Sequence, residues 1–163
     1  MNETHPQNID YDVMEASQNL TGHIGSGTRD IPAKDADNSF TKTLGILQSG
    51  GVYSTALYLM SEIGGVKEAE INAGKQKEKL CCMYTGYYAW NLIKRTVLNG
   101  TTDETNPNET DTLYLKDANE RKTLLNNVMT QLCREPRKTI FAKTVLERFL
   151  TYARYNAKAL ITD

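Results

Sequence analysis

The last part of the chain repeats its apolar residues at the spacing of an α-helix. At about 100° per residue, the apolar side chains of residues 139–161 fall on one broad face, namely Phe141, Val145, Leu146, Phe149, Leu150, Tyr152, Ala153, Ala157 and Leu160. A helix with such a face must bury it against other elements. The alternation of apolar and polar residues that is typical of a half-buried strand occurs nowhere in the sequence. These patterns predict an all-α protein.

A glycine-containing break is expected in an early helix. Phe40, Leu44 and Leu47 share one face, and a second apolar face follows between residues 52 and 63. Between them lies Ser49-Gly50-Gly51, and each glycine costs a helix about 1 kcal/mol. We expect the helix to bend at Ser49–Gly51 or to let another backbone approach there, and we expect Ser39 to cap its start.

The other helices are predicted from the same spacing and from stop signals. A short amphipathic helix is expected at residues 9–20, followed by a mobile linker over residues 22–38 that contains three glycines and a proline. Long helices are expected at residues 66–98 and 117–133, separated by a polar loop at 99–111, and Pro136 should separate the second of them from the last helix. The prediction is a compact bundle of four to six helices.

The charge is distributed unevenly although the net charge is only −1. Residues 1–39 contain seven acidic and two basic residues, whereas residues 112–163 contain ten basic and five acidic ones. We therefore expect an acidic N-terminal extension, residues 1–39, and a helical bundle domain, residues 40–163. The acidic extension could cover a basic face of the bundle.

Residue patterns typical of enzyme active sites are mostly absent from the sequence. The two histidines, His5 and His23, fall in the expected extension, and Cys81, Cys82 and Cys133 lack the spacing of a zinc site. We expect no enzyme activity, no catalytic residue, no metal and no cofactor. The polar start, the odd cysteine count and the lack of an apolar run of about 20 residues favour a cytoplasmic protein that does not enter a membrane.

Two groups of side chains are candidates for contacts with partners. Lys and Arg neutralise the phosphates of nucleic acids, and the candidates for RNA binding are Arg154, Lys158, Lys143, Arg148, Lys138 and Lys42. The first three lie on the flank of the last helix's apolar face, where an ordinary solvated surface is the alternative. Tyr84, Tyr87 and Tyr88 are candidates for a subunit interface; core packing and base stacking are the alternatives.

Three helical stretches share a pattern with one known family. They are Ile46-Leu47 followed by GVYSTALYL at residues 51–59, YAWNL at 88–92, and FLTYARYNAKAL at 149–160. Together they resemble the small α-helical subunit of type III CRISPR effector complexes, of the Cmr kind, over roughly residues 40–161. The chain differs from that pattern at Ser54, where the family has Gln, and at Tyr152, where it has Trp.

The resemblance implies a non-catalytic subunit of an RNA-guided antiviral defence complex. Copies of the family's small subunit associate head to tail into a short filament, which contacts the backbones of guide RNA and target RNA and the other subunits of the complex. Arg154 matches the arginine of the family's last helix. The alternative is a helical protein–protein adaptor without a role in nucleic-acid binding.

Overall fold

Helices make up most of the described chain. The computed structural model describes residues 8–98, 115 and 117–162, and no strand occurs among them. The helices are α1 (Ile9–Thr21), α2 (Ala33–Gly64), α3 (Glu68–Asn72), α4 (Lys77–Thr96), α5 (Ala118–Asn127), a π-helical turn that continues α5 (Val128–Leu132), and α6 (Pro136–Ala159). The predicted all-α bundle is confirmed. None of these helices is long and apolar enough to cross a lipid bilayer.

Four helices enclose the core. α1 and α2 both pack against α4 and α6 but make few contacts with one another, and α5 covers part of α2. All four supply fully buried side chains, among them Leu20, Phe40, Leu47, Leu80, Met83, Leu92 and Phe149. The core is therefore completed only when the first and last helices of the described chain meet.

α2 bends sharply at Gly51, as predicted. The Gly51 backbone adopts φ 84° and ψ −172°, a combination that is open almost only to glycine. In a straight helix residues 42 and 58 would lie about 24 Å apart. Here the Nζ of Lys42 lies 5.2 Å from the centre of the Tyr58 ring. The two arms of α2, residues 33–50 and 52–64, therefore fold towards each other.

Residues 23–31 form a closed loop, so the prediction of a mobile linker over residues 22–38 was wrong. Ile24 and Ile31 form an isolated β-bridge, and Ile31 is only 2% exposed. The backbone N–H of Ile31 donates to the carbonyl of His23 at 2.8 Å, and that of Gly25 donates back to Ile31 at 3.0 Å. The paired backbone groups close the loop, and the buried side chain of Ile31 packs it against the core.

Lys77, at the start of α4, fixes the same loop from outside. Its ammonium group donates to the carbonyl oxygens of Gly27 at 3.1 Å, Thr28 at 2.5 Å and Asp30 at 2.6 Å. An ammonium group has three N–H donors, so these three contacts use all of them. Two distant segments of the chain are joined by a single side chain.

α2 begins at Ala33, which corrects the expected start at Ser39. Ser39 is buried within the helix, and its hydroxyl lies 4.0 Å from the sulfur of Cys82. The boundary expected at residue 39 therefore falls inside α2. α1 also contributes Val13, Ala16 and Leu20 to the common core. The described part of the acidic segment packs as an integral part of the bundle.

The helix predicted over residues 66–98 is divided into α3 and α4. Gly74 and Gln76 have positive φ angles of 75° and 59°, far from the value of about −63° that an α-helix requires. The helix predicted over residues 117–133 begins after Asp117, whose carboxylate accepts from the N–H of Asn119 at 2.7 Å, and it changes to π-helical geometry at Val128. Pro136 separates this helix from α6, but α6 begins at Pro136 itself rather than at residue 139. The predicted loop at 99–111 lies outside the described residues.

Candidate nucleic-acid interface

α6 buries one face and exposes two flanks. Val145, Phe149 and Ala153 are each at most 1% exposed and form the centre of the buried face. Three residues assigned to that face from the sequence lie at its edge instead, since Phe141, Tyr152 and Leu160 are 36%, 39% and 47% exposed. The apolar face is therefore narrower than the sequence pattern indicated. The basic residues are divided between the flank towards α1 and the flank towards α2.

The flank towards α2 carries Lys143, Arg154 and Lys158. The Nε of Arg154 lies 3.3 Å from a carboxylate oxygen of Asp37, and the Nζ of Lys143 donates to the carbonyl of Gln48 at 3.4 Å. Lys143 and Arg154 are separated by about 16 Å along the helix axis. Of the six residues predicted to bind RNA, these three lie on one surface. The acidic residue Glu147 lies between Lys143 and Arg154 in the sequence.

Arg148 lies on the opposite flank, towards α1. Its Nη1 atom is 2.6 Å from a carboxylate oxygen of Asp10, in an ion pair whose side chains are 52% and 71% exposed. This guanidinium therefore does not extend the row of Lys143, Arg154 and Lys158. An RNA strand that contacts both flanks would have to cross α6.

Lys138 and Lys42 belong to neither flank set. Lys138 forms an exposed ion pair with Glu135 at 3.4 Å at the start of α6. Lys42 pairs with Glu78 of α4 at 3.7 Å and lies over the Tyr58 ring. Two of the six predicted RNA-binding residues therefore lie apart from the other four.

The three tyrosines predicted at a subunit interface lie inside the protein. Tyr84, Tyr87 and Tyr88 are 6%, 8% and 5% exposed. Tyr87 and Tyr88 meet edge to face, with ring centres 5.3 Å apart, a favourable geometry for aromatic pairs. This burial argues against a contact between these side chains and another subunit. Their position matches core packing, which was one of the alternatives from the sequence.

His23 joins this aromatic cluster, although the sequence placed it in a linker. Its ring stacks on Tyr84 with the centres 3.9 Å apart, and its Nε2 lies 2.8 Å from the hydroxyl of Tyr88. Burial lowers the pKa of His23, and nearby Asp30 opposes that shift in part. No local sequence pattern pointed to this position, because the contact of His23 with Tyr88 joins residues 65 positions apart.

The buried thiols have the properties of small apolar side chains. Burial raises the pKa of Cys81 to about 12 and that of Cys82 to about 11. Both thiols are therefore protonated at neutral pH and are poor nucleophiles. In the described parts of the chain, no group of three or more His, Cys, Asp or Glu side chains could hold a metal ion.

An exposed apolar groove runs between the first and last helices. We call it the α1–α6 groove; it is lined by Tyr11, Met14, Tyr152 and Tyr155, with the amides of Asn8, Gln18 and Asn156 at its edges. Tyr155 is 63% exposed and Tyr11 is 53% exposed. The sequence contained a signal for it, because Tyr11 and Met14 are apolar residues outside the buried face of α1.

A second exposed apolar groove lies between α2 and α5. We call it the α2–α5 groove; it is lined by Tyr53, Leu57, Leu125 and Met129, with the basic residues Arg121 and Lys122 beside them. Leu57 and Met129 are 43% and 48% exposed. No helix contributes to both grooves, so the two grooves are separate surfaces.

Comparison of the chain with protein-family models, curated proteins and solved structures finds no match.

Proposed function

We propose that this chain is the non-catalytic small subunit of a type III CRISPR RNA-guided complex. In this role it associates head to tail with further copies of itself, contacts other subunits, and binds the backbones of guide RNA and target RNA through α6. Sequence is read by base pairing in such complexes, so the protein needs only complementary shape and charge. The pattern shared by residues 40–161 with the family motivates the proposal.

The pair of separate apolar grooves is the structural observation that supports this proposal best. A head-to-tail contact is heterologous, so one molecule must offer two different surfaces that fit each other. The α1–α6 groove has the exposed carboxylate of Asp10 on its lining. The α2–α5 groove has Arg121 and Lys122. Each groove thus combines exposed apolar side chains with charged ones, and Asp10 in the first groove is paired with Arg148.

The basic flank of α6 supports the RNA contact. Lys143 and Lys158 present positive charge along one side of α6, and Arg154, which pairs with Asp37, lies between them along the helix. Lys and Arg contacts to phosphates are independent of sequence and add up along a strand. A modest number of cations in each copy suffices when several copies bind one strand, because linked weak contacts multiply.

RNA binding by the purified full-length chain tests this proposal. We would measure the anisotropy of a fluorescein-labelled single-stranded RNA at several salt concentrations for the wild type, Lys158→Glu and Lys75→Glu. Both lysines are exposed, but only Lys158 lies on α6. Lys158→Glu should weaken binding and lower the salt slope by about 0.7, whereas Lys75→Glu should not. Equal losses in the two variants would contradict a site on α6.

A pull-down from the native host tests the complex itself. The tagged chain would be isolated with and without RNase treatment, and the bound RNA would be sequenced. Short RNAs that share a constant repeat-derived end, together with large co-purifying subunits, are expected. Protein partners that persist without any enriched RNA would contradict the proposal.

A protein–protein adaptor is the second candidate, and the α1–α6 groove favours it. Tyr and Met side chains are common in binding hot spots and adaptable interfaces. In this role the groove, rather than the buried tyrosines of α4, would hold the partner. Tyr155→Glu would then abolish capture of the partner, while Lys158→Glu would leave it unchanged.

A further inference from the structure

Acidic residues from the first 39 positions contact both exposed flanks of α6. Asp10, in the first turn of α1, pairs with Arg148 at 2.6 Å. Asp37, near the start of α2, pairs with Arg154 at 3.3 Å. Beyond its first turn, α6 contains two arginines, Arg148 and Arg154. Each of them therefore faces a carboxylate from the N-terminal part of the chain.

A carboxylate and a phosphate use the same surface of a guanidinium. Arginine binds either group through the same fork of N–H donors. A carboxylate that occupies this fork also cancels the positive charge that would attract a polyanion. Asp10 and Asp37 each contact one guanidinium nitrogen, of Arg148 and Arg154 respectively, to which a phosphate of a nucleic acid could otherwise bind.

We infer that Asp10 and Asp37 form an autoinhibitory contact, which RNA phosphates displace when the chain binds RNA through α6. This inference rests on the proposed RNA-binding function. The described structure then represents the free form, in which Arg148 and Arg154 are neutralised internally. RNA exchanges each carboxylate for a phosphate, and the helices stay in place.

The surroundings of the Asp10–Arg148 contact permit this exchange most readily, since the side chains of Arg154 and Asp37 are only 35% and 18% exposed. The Asp10 side chain is 71% exposed, and that of Arg148 is 52% exposed. Exposed ion pairs contribute little to stability, so breaking them does not unfold α1. α1 is held by its buried face, where Val13, Ala16 and Leu20 are at most 2% exposed. The side chains can therefore separate while the bundle remains folded.

The two ion pairs leave part of the basic surface of α6 available to RNA. Among the described residues, none forms a hydrogen bond or an ion pair with the side chain of Lys158, and Lys143 contacts only a backbone carbonyl. These lysines would provide the first, weak attraction for RNA. Arg148 and Arg154 would add their contacts only after the carboxylates are displaced, so binding to the free protein should be weak.

Asp10→Asn and Asp37→Asn test the inference in the full-length chain. Each substitution keeps the shape of the side chain and removes its charge. We would measure the affinity for a fluorescein-labelled single-stranded RNA as a function of salt. Each variant should bind more tightly than the wild type, and each should steepen the salt slope by about 0.7, the contribution of one additional phosphate contact.

Asp35→Asn is the matched control. Asp35 lies one half-turn before Asp37 in the first turn of α2 and is exposed. Its removal changes the net charge equally but frees no arginine of α6. If Asp35→Asn tightened binding as much as Asp37→Asn, net charge alone would explain the effect and the autoinhibitory contact would be refuted.

Failure of this inference is distinguishable from failure of the proposed function. If the wild type binds RNA and both Asp variants match it in affinity and slope, the contact is not inhibitory but RNA binding stands. If neither the wild type nor the variants bind RNA at low salt, both are refuted. Thermal unfolding would reveal whether Asp37→Asn destabilises the fold. If it does, Asp10→Asn still tests the inference, because its ion pair is the more exposed of the two.

Discussion

The ring of His23 lies face to face with the ring of Tyr84, at a centre-to-centre distance of 3.9 Å and an interplanar angle of 12°. The Tyr88 hydroxyl lies 2.8 Å from Nε2 of the same imidazole. The stack anchors the chain between α1 and α2 to α4. It also holds the imidazole where charge is costly, because burial favours the neutral form.

Stability should fall as the pH drops below about 6.5. Burial lowers the pKa of His23 from its usual value of 6.5, so the unfolded chain binds more protons than the folded chain between the two pKa values. The contribution of neutral His23 to the free energy of unfolding is therefore complete above pH 6.5. It is lost as the pH falls towards the lower pKa of the folded state. Urea unfolding at several pH values would measure the slope of the free energy of unfolding against pH. His23→Phe, which keeps an aromatic ring, should flatten it, and His5→Phe controls for the other histidine of the sequence.

Gly51→Ala should destabilise the protein by about 1–3 kcal/mol, the usual cost of a strained backbone. The φ of 84° disfavours every residue with a Cβ atom, although a Cβ at this position would meet no atom within 4 Å. Gly45→Ala is the matched control in the same helix, where a Cβ also meets nothing within 4 Å. Because residue 45 is helical, that change should stabilise by about 0.4–1 kcal/mol. Equal effects in chemical denaturation would contradict the assigned bend.

Lys77→Met should loosen the loop of residues 23–31. The variant loses three charged hydrogen bonds to backbone carbonyls, and we expect a loss of about 1–3 kcal/mol. Trypsin cleavage after Arg29 should accelerate, because the loop opens more often. Lys79→Met is the control, since Lys79 donates only to Gly65, at 3.3 Å. Unchanged cleavage at Arg29 in Lys77→Met would show that the loop does not depend on this side chain.

Two groove variants should complement each other if the chain associates head to tail. Tyr155→Glu blocks the α1–α6 groove, and Leu57→Glu blocks the α2–α5 groove. Each variant alone should be monomeric in sedimentation velocity, whereas their mixture should form a dimer, because one intact groove remains on each partner.

Ile140→Glu provides the control for that experiment. Ile140 is 67% exposed and lies in neither groove, so this variant should associate like the wild type. Monomeric wild-type protein at all concentrations, or a mixture that stays monomeric, would contradict head-to-tail association through the two grooves.

Local patterns predicted the helical architecture well. The break at Gly51 and the separation at Pro136 could be predicted because glycine and proline act on the backbone wherever they occur. The apolar spacing likewise located α1 and α6. These features depend on residues that are close in sequence.

The features that the sequence did not reveal depend on distant contacts. The loop of residues 23–31 looks flexible by composition, but Lys77 and the His23–Tyr84 stack fix it from distant parts of the chain. Burial of Tyr84, Tyr87 and Tyr88 depends on how α1 and α4 meet, which helical spacing does not specify. The ion pairs of Arg148 and Arg154 join residues 138 and 117 positions apart, so no local pattern could place them.

The contact of α1 with both α4 and α6 has a consequence for synthesis. α1 leaves the ribosome first among the described helices, but the residues that cover its apolar face follow much later, and those of α6 come last. Contacts between distant residues form late in folding. Until α6 emerges, Val13, Ala16 and Leu20 have only part of their final packing surface, so the nascent chain exposes apolar surface for chaperones to bind.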